Sequence, residues 1–354
     1  MRKLVTVRKV YDIQPIPEAD LIESVQIDGW RCVCKKGEFK IGDSGIYFEI
    51  DSNLNTDLPQ FAFLNSIAKK NIDGKFRARI KTKKLRGVIS QGLFLPIPAF
   101  PEIDFSDTEK DYSTDLDVIK YEPPQPASLG GLSKGFFPGF LEKSDEERVQ
   151  SSPWVINSHR NAPESLTYEV SLKLNGSSMT VFHNSNTPED IVGVCSRNLQ
   201  LKLDQEGNSF INVAKKLNIM EKLADFYTKT NRNIAVQGEL IGEGIQSNFE
   251  KIVGQDFYVY TVYDIDNHKK LLPNERRKIV EELGLKHVPV YDTNFKLQDH
   301  FSNVDEIVAY ADGPSMNNKV REGVVFKANE YINGEHFSFK AISNKYLLKY
   351  DTDE

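Results

Sequence analysis

Leu166-Thr167-Tyr168-Glu169-Val170-Ser171-Leu172-Lys173-Leu174-Asn175-Gly176 alternates without a break: apolar side chains stand at 166, 168, 170, 172 and 174, with polar ones between them. Successive side chains of a strand point to opposite faces, so this stretch predicts a strand that buries the five apolar residues and offers Glu169, Ser171 and Lys173 to a polar cleft. Asn175-Gly176 reads as a tight hairpin turn returning the chain through residues 177–183. Lys173 then stands at a strand end beside a glycine, where a ligand can approach the backbone. A lysine so placed is a nucleophile if desolvation or neighbouring cations lower its pKa from about 10.4, and otherwise a phosphate contact. The K-x-x-G spacing does not choose between the two, because Lys84 to Gly87 and Lys251 to Gly254 share it.

Around that strand, residues 141–354 mix strands and helices without the regular alternation of a doubly wound parallel sheet. The expectation is an α+β fold in which an antiparallel-sheet-rich domain follows an N-terminal β-barrel. Val213, Leu217, Met220, Leu223, Ala224 and Tyr227 fall at helical spacing within 208–230, and 274–283 reads as a shorter helix capped by Asn274 and stopped by Gly284. Residues 1–100 break into short strands at 21–27, 30–35 and 44–50, with a turn at Asp28-Gly29, which reads as the small barrel. Residues 101–140 carry Pro101, Pro123, Pro124, Pro126 and Pro138, an acidic stretch over 104–117 and Gly130-Gly131, the composition of an inter-domain linker.

Composition bounds the function classes. A chain of 354 residues with 39% hydrophobic and 27% charged residues can bury a large core and is neither collagenous nor disordered. Three cysteines argue for a reducing compartment, and Cys32 and Cys34 lie on one strand face rather than at zinc-ligand spacing. The six histidines show no paired spacing for zinc. No apolar run approaches the roughly 18 residues that span a bilayer, so a soluble protein is expected; it is taken to be intracellular, in the cytoplasm or an unknown compartment, and monomeric. A net charge of −6 makes any nucleic-acid affinity a matter of local clustering. Residues 75–86 provide such a cluster, with seven basic residues and no acidic one. Alternation predicts Lys75, Arg77, Arg79, Lys81 and Lys83 on one face, backed by Phe76, Ala78 and Ile80. This ribbon is read either as a phosphate-backbone contact or as a solvated edge strand.

Several motifs downstream of Lys173 give the strand a context. Lys173-Leu174-Asn175-Gly176 resembles the nucleophile motif of the covalent nucleotidyltransferases, which comprise ATP-dependent DNA and RNA ligases and mRNA capping enzymes. Ser196-Arg197, 236–242 with Glu239, 257–265 with Tyr263, 321–327 with Glu322 and Lys327, and 336–340 with Lys340 resemble the later motifs in family order. The resemblance implies that Lys173 takes AMP. It implies that Leu172, Asn175, Gly176, Arg197, Glu239, Tyr263, Glu322, Lys327 and Lys340 hold ATP, with Tyr263 on the adenine and Lys340 on the α-phosphate. Glu239 and Glu322 are the ligands it implies for Mg²⁺ or Mn²⁺. Lys340 beside Lys173 would lower the nucleophile's pKa by like-charge repulsion. Glu322 and Lys327 lie five apart and cannot face one way on a regular strand, so one of them needs a bulge or a strand end. Asn175 departs from the aspartate of many ligases.

Only 14 residues follow Lys340, so the C-terminal OB domain of capping enzymes and many DNA ligases is not expected. Instead 21–30 and 35–43 resemble an OB domain that precedes the catalytic one. This order is similar to RNA ligases that seal 3′-OH/5′-phosphate nicks, which implies RNA as partner. A DNA ligase, or a non-catalytic OB-containing nucleic-acid-binding protein, is the alternative.

Overall fold

The computed structural model describes residues 3–71, 73–121, 133–156, 166–205 and 207–350. The chain forms two compact units, Met1–Pro124 with Gln150–Pro153 and Leu347–Glu354, and Gln125–Val149 with Trp154–Tyr346. The boundary therefore differs from the expected linker. Phe105, Tyr112, Leu116 and Val118 of the 101–140 stretch are buried in the first unit's core, and strand Val118–Lys120 pairs with Ser52–Asn55. At the other end of that stretch, strand Ser133–Phe136 pairs with Leu199–Leu201 in the second unit. The prolines at 123, 124 and 126 and Gly130-Gly131 lie outside the described residues.

The first unit is the OB-type barrel. A curled five-stranded antiparallel sheet runs in the order Leu93–Pro96, Ser44–Phe48, Val5–Pro15, Ile22–Ile27, Trp30–Lys35. Asp28, with φ of 49°, makes the turn before Trp30 as the sequence predicts. A four-stranded sheet holds Val118–Lys120, Ser52–Asn55, Phe76–Arg79 and Lys69–Lys70.

In the second unit two largely antiparallel sheets carry the motifs. The larger contains Ser177–His183, Ile234–Gly242 and Gln255–Asp264 side by side, and the smaller contains Tyr168–Lys173 between Gly323–Ile332 and Val290–Phe295, with Glu335–Ile342 beyond Gly323–Ile332. Helices back the larger sheet, where Ile211, Val213, Leu223 and Ile279 join Val181, Val236 and Val259 in one core. The 208–230 segment is two helices, Ser209–Lys216 and Ile219–Thr230, because Asn218 takes a left-handed conformation with φ of 51°. Asn208 caps the first of them, accepting from the Phe210 and Ile211 amides. The shorter helix, Pro273–Glu282, starts at Pro273 without the expected Asn274 cap, since proline's fixed φ suits a first helical position.

The Asn175-Gly176 turn is not a hairpin. Tyr168–Lys173 pairs with Gly323–Ile332 in the smaller sheet, whereas Ser177–His183 pairs with Ile234–Gly242 in the larger one. Residues 174–176 thus carry the chain from one sheet to the other. A Cβ on Gly176 would stand 2.3 Å from the Leu240 carbonyl oxygen, so the crossing is too close for any side chain.

Candidate active site

Lys173 sits where the two sheets meet. Its Nζ lies 2.5 Å from Glu322 Oε1, and the two residues are 149 apart in the chain. Glu322 immediately precedes strand Gly323–Ile332, and this strand-end position resolves the five-residue spacing to Lys327. A Cβ on Gly323 would meet the Ala341 carbonyl oxygen at 2.2 Å, so the neighbouring strand packs tightly beside Glu322. Glu239 projects from Ile234–Gly242 and receives the Gly176 amide, which places its carboxylate beside the Lys173–Glu322 pair.

The electrostatics correct one expectation. Burial pulls the Lys173 ammonium down, but Glu322 and Glu239 outweigh it and raise the pKa above the ordinary lysine value. Lys173 is therefore a clamped ammonium in this state, and the like charge of Lys340 does not prevail. Burial pushes the Glu239 carboxyl up to about 8, with Lys173 pulling it down and Glu322 pushing it further up. Lys340 itself is lowered, by burial first, while Asp145 acts in the opposite sense.

The remaining motif residues divide into those near Lys173 and those held apart. Leu172 is buried with Leu174, Ile241 and Val288, its amide donating to the Pro289 carbonyl. The Asn175 side chain donates to the Tyr346 hydroxyl at 2.6 Å. Arg197, on the tight turn after Val192–Cys195, is half exposed and lies 3.6 Å from Asp145. Lys327 is buried on the cleft side of its strand, donating to the Tyr260 carbonyl and, at 2.8 Å, to Thr261 Oγ1. Burial and then Arg276 lower its pKa to about 7.

Tyr263 departs from the expected adenine platform, because it packs with Phe182, Cys195 and Ala235, and Leu141 and Phe140 belong to the same cluster. Tyr260 is the aromatic that shares the pocket, its hydroxyl 2.9 Å from Ser178 Oγ and Glu239 and Arg197 among the charges around it. The cause is a bulge: Gln237 faces Thr261 and Gly238 faces Val259, so Tyr260 is the extra residue. Side-chain parity flips across it, which puts Phe257, Val259 and then Val262 in the same core.

Sequence reading missed Asp145 and Glu146. Strand Glu147–Arg148 pairs in parallel with Phe339 and Lys340, and the two preceding acids reach the cleft from there. Asp145 Oδ1 lies 3.1 Å from Lys340 Nζ. Burial opposes the charge on Glu146, yet Lys327, Lys270 and Lys340 hold its carboxyl down at about 2. Glu169, expected to face a polar cleft, is fully buried and accepts from Arg276 and Arg277.

The donor set suits a hard divalent cation. Among the described residues no three His, Cys, Asp or Glu side chains gather as a metal cage. Two carboxylates, at Glu239 and Glu322, share the pocket, and Mg²⁺ needs no more protein than that because it keeps several waters.

The basic strand behaves differently from the expected ribbon. Arg77 is buried, donating to Asp73 and Asp117, and Lys75 pairs with Asp117 at 2.6 Å. Arg79 pairs with Asp51 and stacks on Tyr121. Phe76, expected on the apolar backing, is 50% exposed. Lys81 and Lys83 line a groove of about 330 Å³ together with Ser66, Ile67, Lys69 and Arg79.

No helix among the described residues is long and apolar enough to cross a membrane. A comparison with curated proteins gives no match. An OB-fold domain profile matches residues 4–97, and an RNA ligase profile matches residues 166–342. A solved mutant of Naegleria gruberi RNA ligase without ligand is 42% identical, with a TM-score of 0.88 and complete coverage of both chains. Another mutant of that enzyme, with AMP and Mn, aligns with the same identity, score and coverage. The Naegleria gruberi RNA ligase with PPi aligns at 42% identity and a TM-score of 0.87, covering 99% of each chain. Carrying the family profile over half its length and matching these structures end to end, the chain belongs to the RNA ligase family.

Proposed function

We propose that this RNA ligase uses ATP to join a 3′-OH to a 5′-phosphate at nicks in duplex RNA or RNA/DNA hybrid, through a lysyl-AMP at Lys173, working as a monomer inside the cell. The observation that carries the reading is the convergence of Lys173, Glu322 and Glu239 where the sheets meet. In the first step the Lys173 amine forms an N–P bond to the α-phosphorus of ATP and the bond to pyrophosphate breaks. The adenylate then passes to the RNA 5′-phosphate oxygen, and attack by the 3′-hydroxyl releases AMP. Each step is a displacement at phosphorus that depends on positioning and on cations facing the developing charge.

Attack requires Lys173 to lose the proton that Glu322 and Glu239 now retain. Bound Mg²⁺ would neutralise phosphate charge and align the leaving group. Glu239 and Glu322 are the residues that would hold it, and carboxylates engaged in that way release their pull on the ammonium. Lys340 and Arg197 offer positive charge to the phosphates, and Tyr260, with Arg197 among the charges around it, offers an aromatic ring.

RNA backbone contact is assigned to the first unit. Lys75 and Arg77 are committed to Asp73 and Asp117, and the contact is placed instead at the groove that Lys83 lines together with Lys69 and Lys81.

Incubation with α-labelled ATP and Mg²⁺ should label the protein through a bond that survives denaturation but not acid. Lys173→Ala should take no label, and a labelled variant overturns the nucleophile. Nicks with an RNA 3′-OH strand should seal faster than all-DNA nicks; the reverse preference would identify a DNA ligase.

A further inference from the structure

We propose that Asp145 is an internal stand-in for phosphate: in the ATP-free enzyme its carboxylate occupies the two cations that the nucleotide's phosphates need, and ATP binds by displacing it. The inference rests on the site reading given above. Asp145 Oδ1 meets Lys340 Nζ at 3.1 Å and its Oδ2 faces the Arg197 guanidinium at 3.6 Å, so one side chain spreads two anionic oxygens over both cations as a phosphate would. The Lys340 side chain is only 14% exposed, and a buried ammonium without a partner carries a desolvation cost that Asp145 offsets.

Two features hold Asp145 in place. Its neighbour Glu146 is largely enclosed, its side chain 13% exposed, with its carboxylate 3.9 Å from Lys327 Nζ and Lys270 and Lys340 among the charges around it. Strand Glu147–Arg148 follows, in parallel register with Phe339 and Lys340. The backbone at 145 is thereby tied to the strand that carries Lys340, while the short Asp145 side chain can rotate away. The arrangement keeps Lys340 charged and correctly aimed before ATP arrives, and it makes every ligand without anionic oxygens a poor competitor. Asp145 acts on ATP through Lys340 and Arg197, so it is a positioning residue whose net effect is to weaken ATP binding.

The test is equilibrium binding of α,β-methylene-ATP to unadenylylated enzyme, with the concentration dependence of self-labelling by ATP measured in parallel. Asp145→Asn should bind the analogue about three- to tenfold more tightly and lower the KM for ATP. Asp145→Glu, which keeps the charge, should stay within about twofold of the native protein. In a Lys340→Met background the Asp145→Asn gain should vanish. Unchanged or weaker binding by Asp145→Asn, in a variant whose thermal unfolding matches the native protein, would overturn the proposal. Labelling that persists in Lys173→Ala would overturn the site reading instead.

Discussion

The strand at Lys173 and the strand at Arg77 present nearly the same pattern in sequence, apolar and charged side chains in alternation, and they come to opposite ends. Tyr168–Lys173 buries its apolar face as the alternation demands, and its last charged residue reaches the pocket. Phe76–Arg79 buries Arg77 and leaves Phe76 half exposed. The difference lies in the partners. Lys173 meets carboxylates inside a pocket that leaves it a quarter exposed. Arg77 meets Asp73 from its own turn and Asp117 from 40 residues on, which close over it. Alternation therefore tells which way a side chain points, and the carboxylates brought to meet it decide whether it stays available to a ligand.

The comparison can be broken at its most buried point. Glu169→Ala should destabilise the protein by about 3–5 kcal/mol, because Arg276 is left charged and enclosed; denaturant unfolding measures it, and a loss below about 1 kcal/mol would mean that the buried pair is not structural. Next, Arg77→Ala should cost about 2–3 kcal/mol by stranding Asp117, whose carboxyl Lys75 and Arg77 hold down at about 2 against burial, whereas Lys83→Ala should change stability by less than about 0.5 kcal/mol. Equal effects would erase the distinction between structural and available cations.

A third expectation concerns pH. The Glu239 carboxyl is raised from 4.5 to about 8, so its contribution is fully present below pH 4.5 and is lost as pH rises through about 8. Glu239→Gln does not titrate, and it should gain on the native protein by on the order of 2 kcal/mol at pH 9 while matching it near pH 4. Melting curves across that range check the sign. The smallest effect belongs to the groove: Lys69→Gln with Lys83→Gln should weaken nick sealing and reduce its salt slope by about one unit per lost contact, with self-labelling unchanged. Labelling that falls in step with sealing would assign the groove a structural role.

Much of the site is legible before any folding is considered, because the motifs run in order and each contributes one side chain whose face follows from strand parity. Parity alone puts Lys173 and Glu239 on the polar faces of their strands, and Glu322 reaches Lys173 because a strand end escapes parity. Tyr263 packs with Phe182 and Ala235 because a bulge at Tyr260 inserts a residue that no local pattern marks. The Asn175-Gly176 turn looks like a hairpin, since two flanking strands read alike whether they pair with each other or join different sheets. Nothing in the local sequence singles out Asp145 and Glu146, and the parallel pairing of Glu147–Arg148 with Phe339 and Lys340 brings them beside Lys340 and Lys327.

Taken alone, the order of residues determined the strands, the side each residue takes and the chemistry available at Lys173, because backbone sterics impose a period of two on any strand. Folding in three dimensions decided which sheet each strand joined and which acid met which base. Those pairings link residues 149 and 195 positions apart, as between Lys173 and Glu322 or Asp145 and Lys340. Their energies depend on burial and distance, which no local stretch of chain specifies.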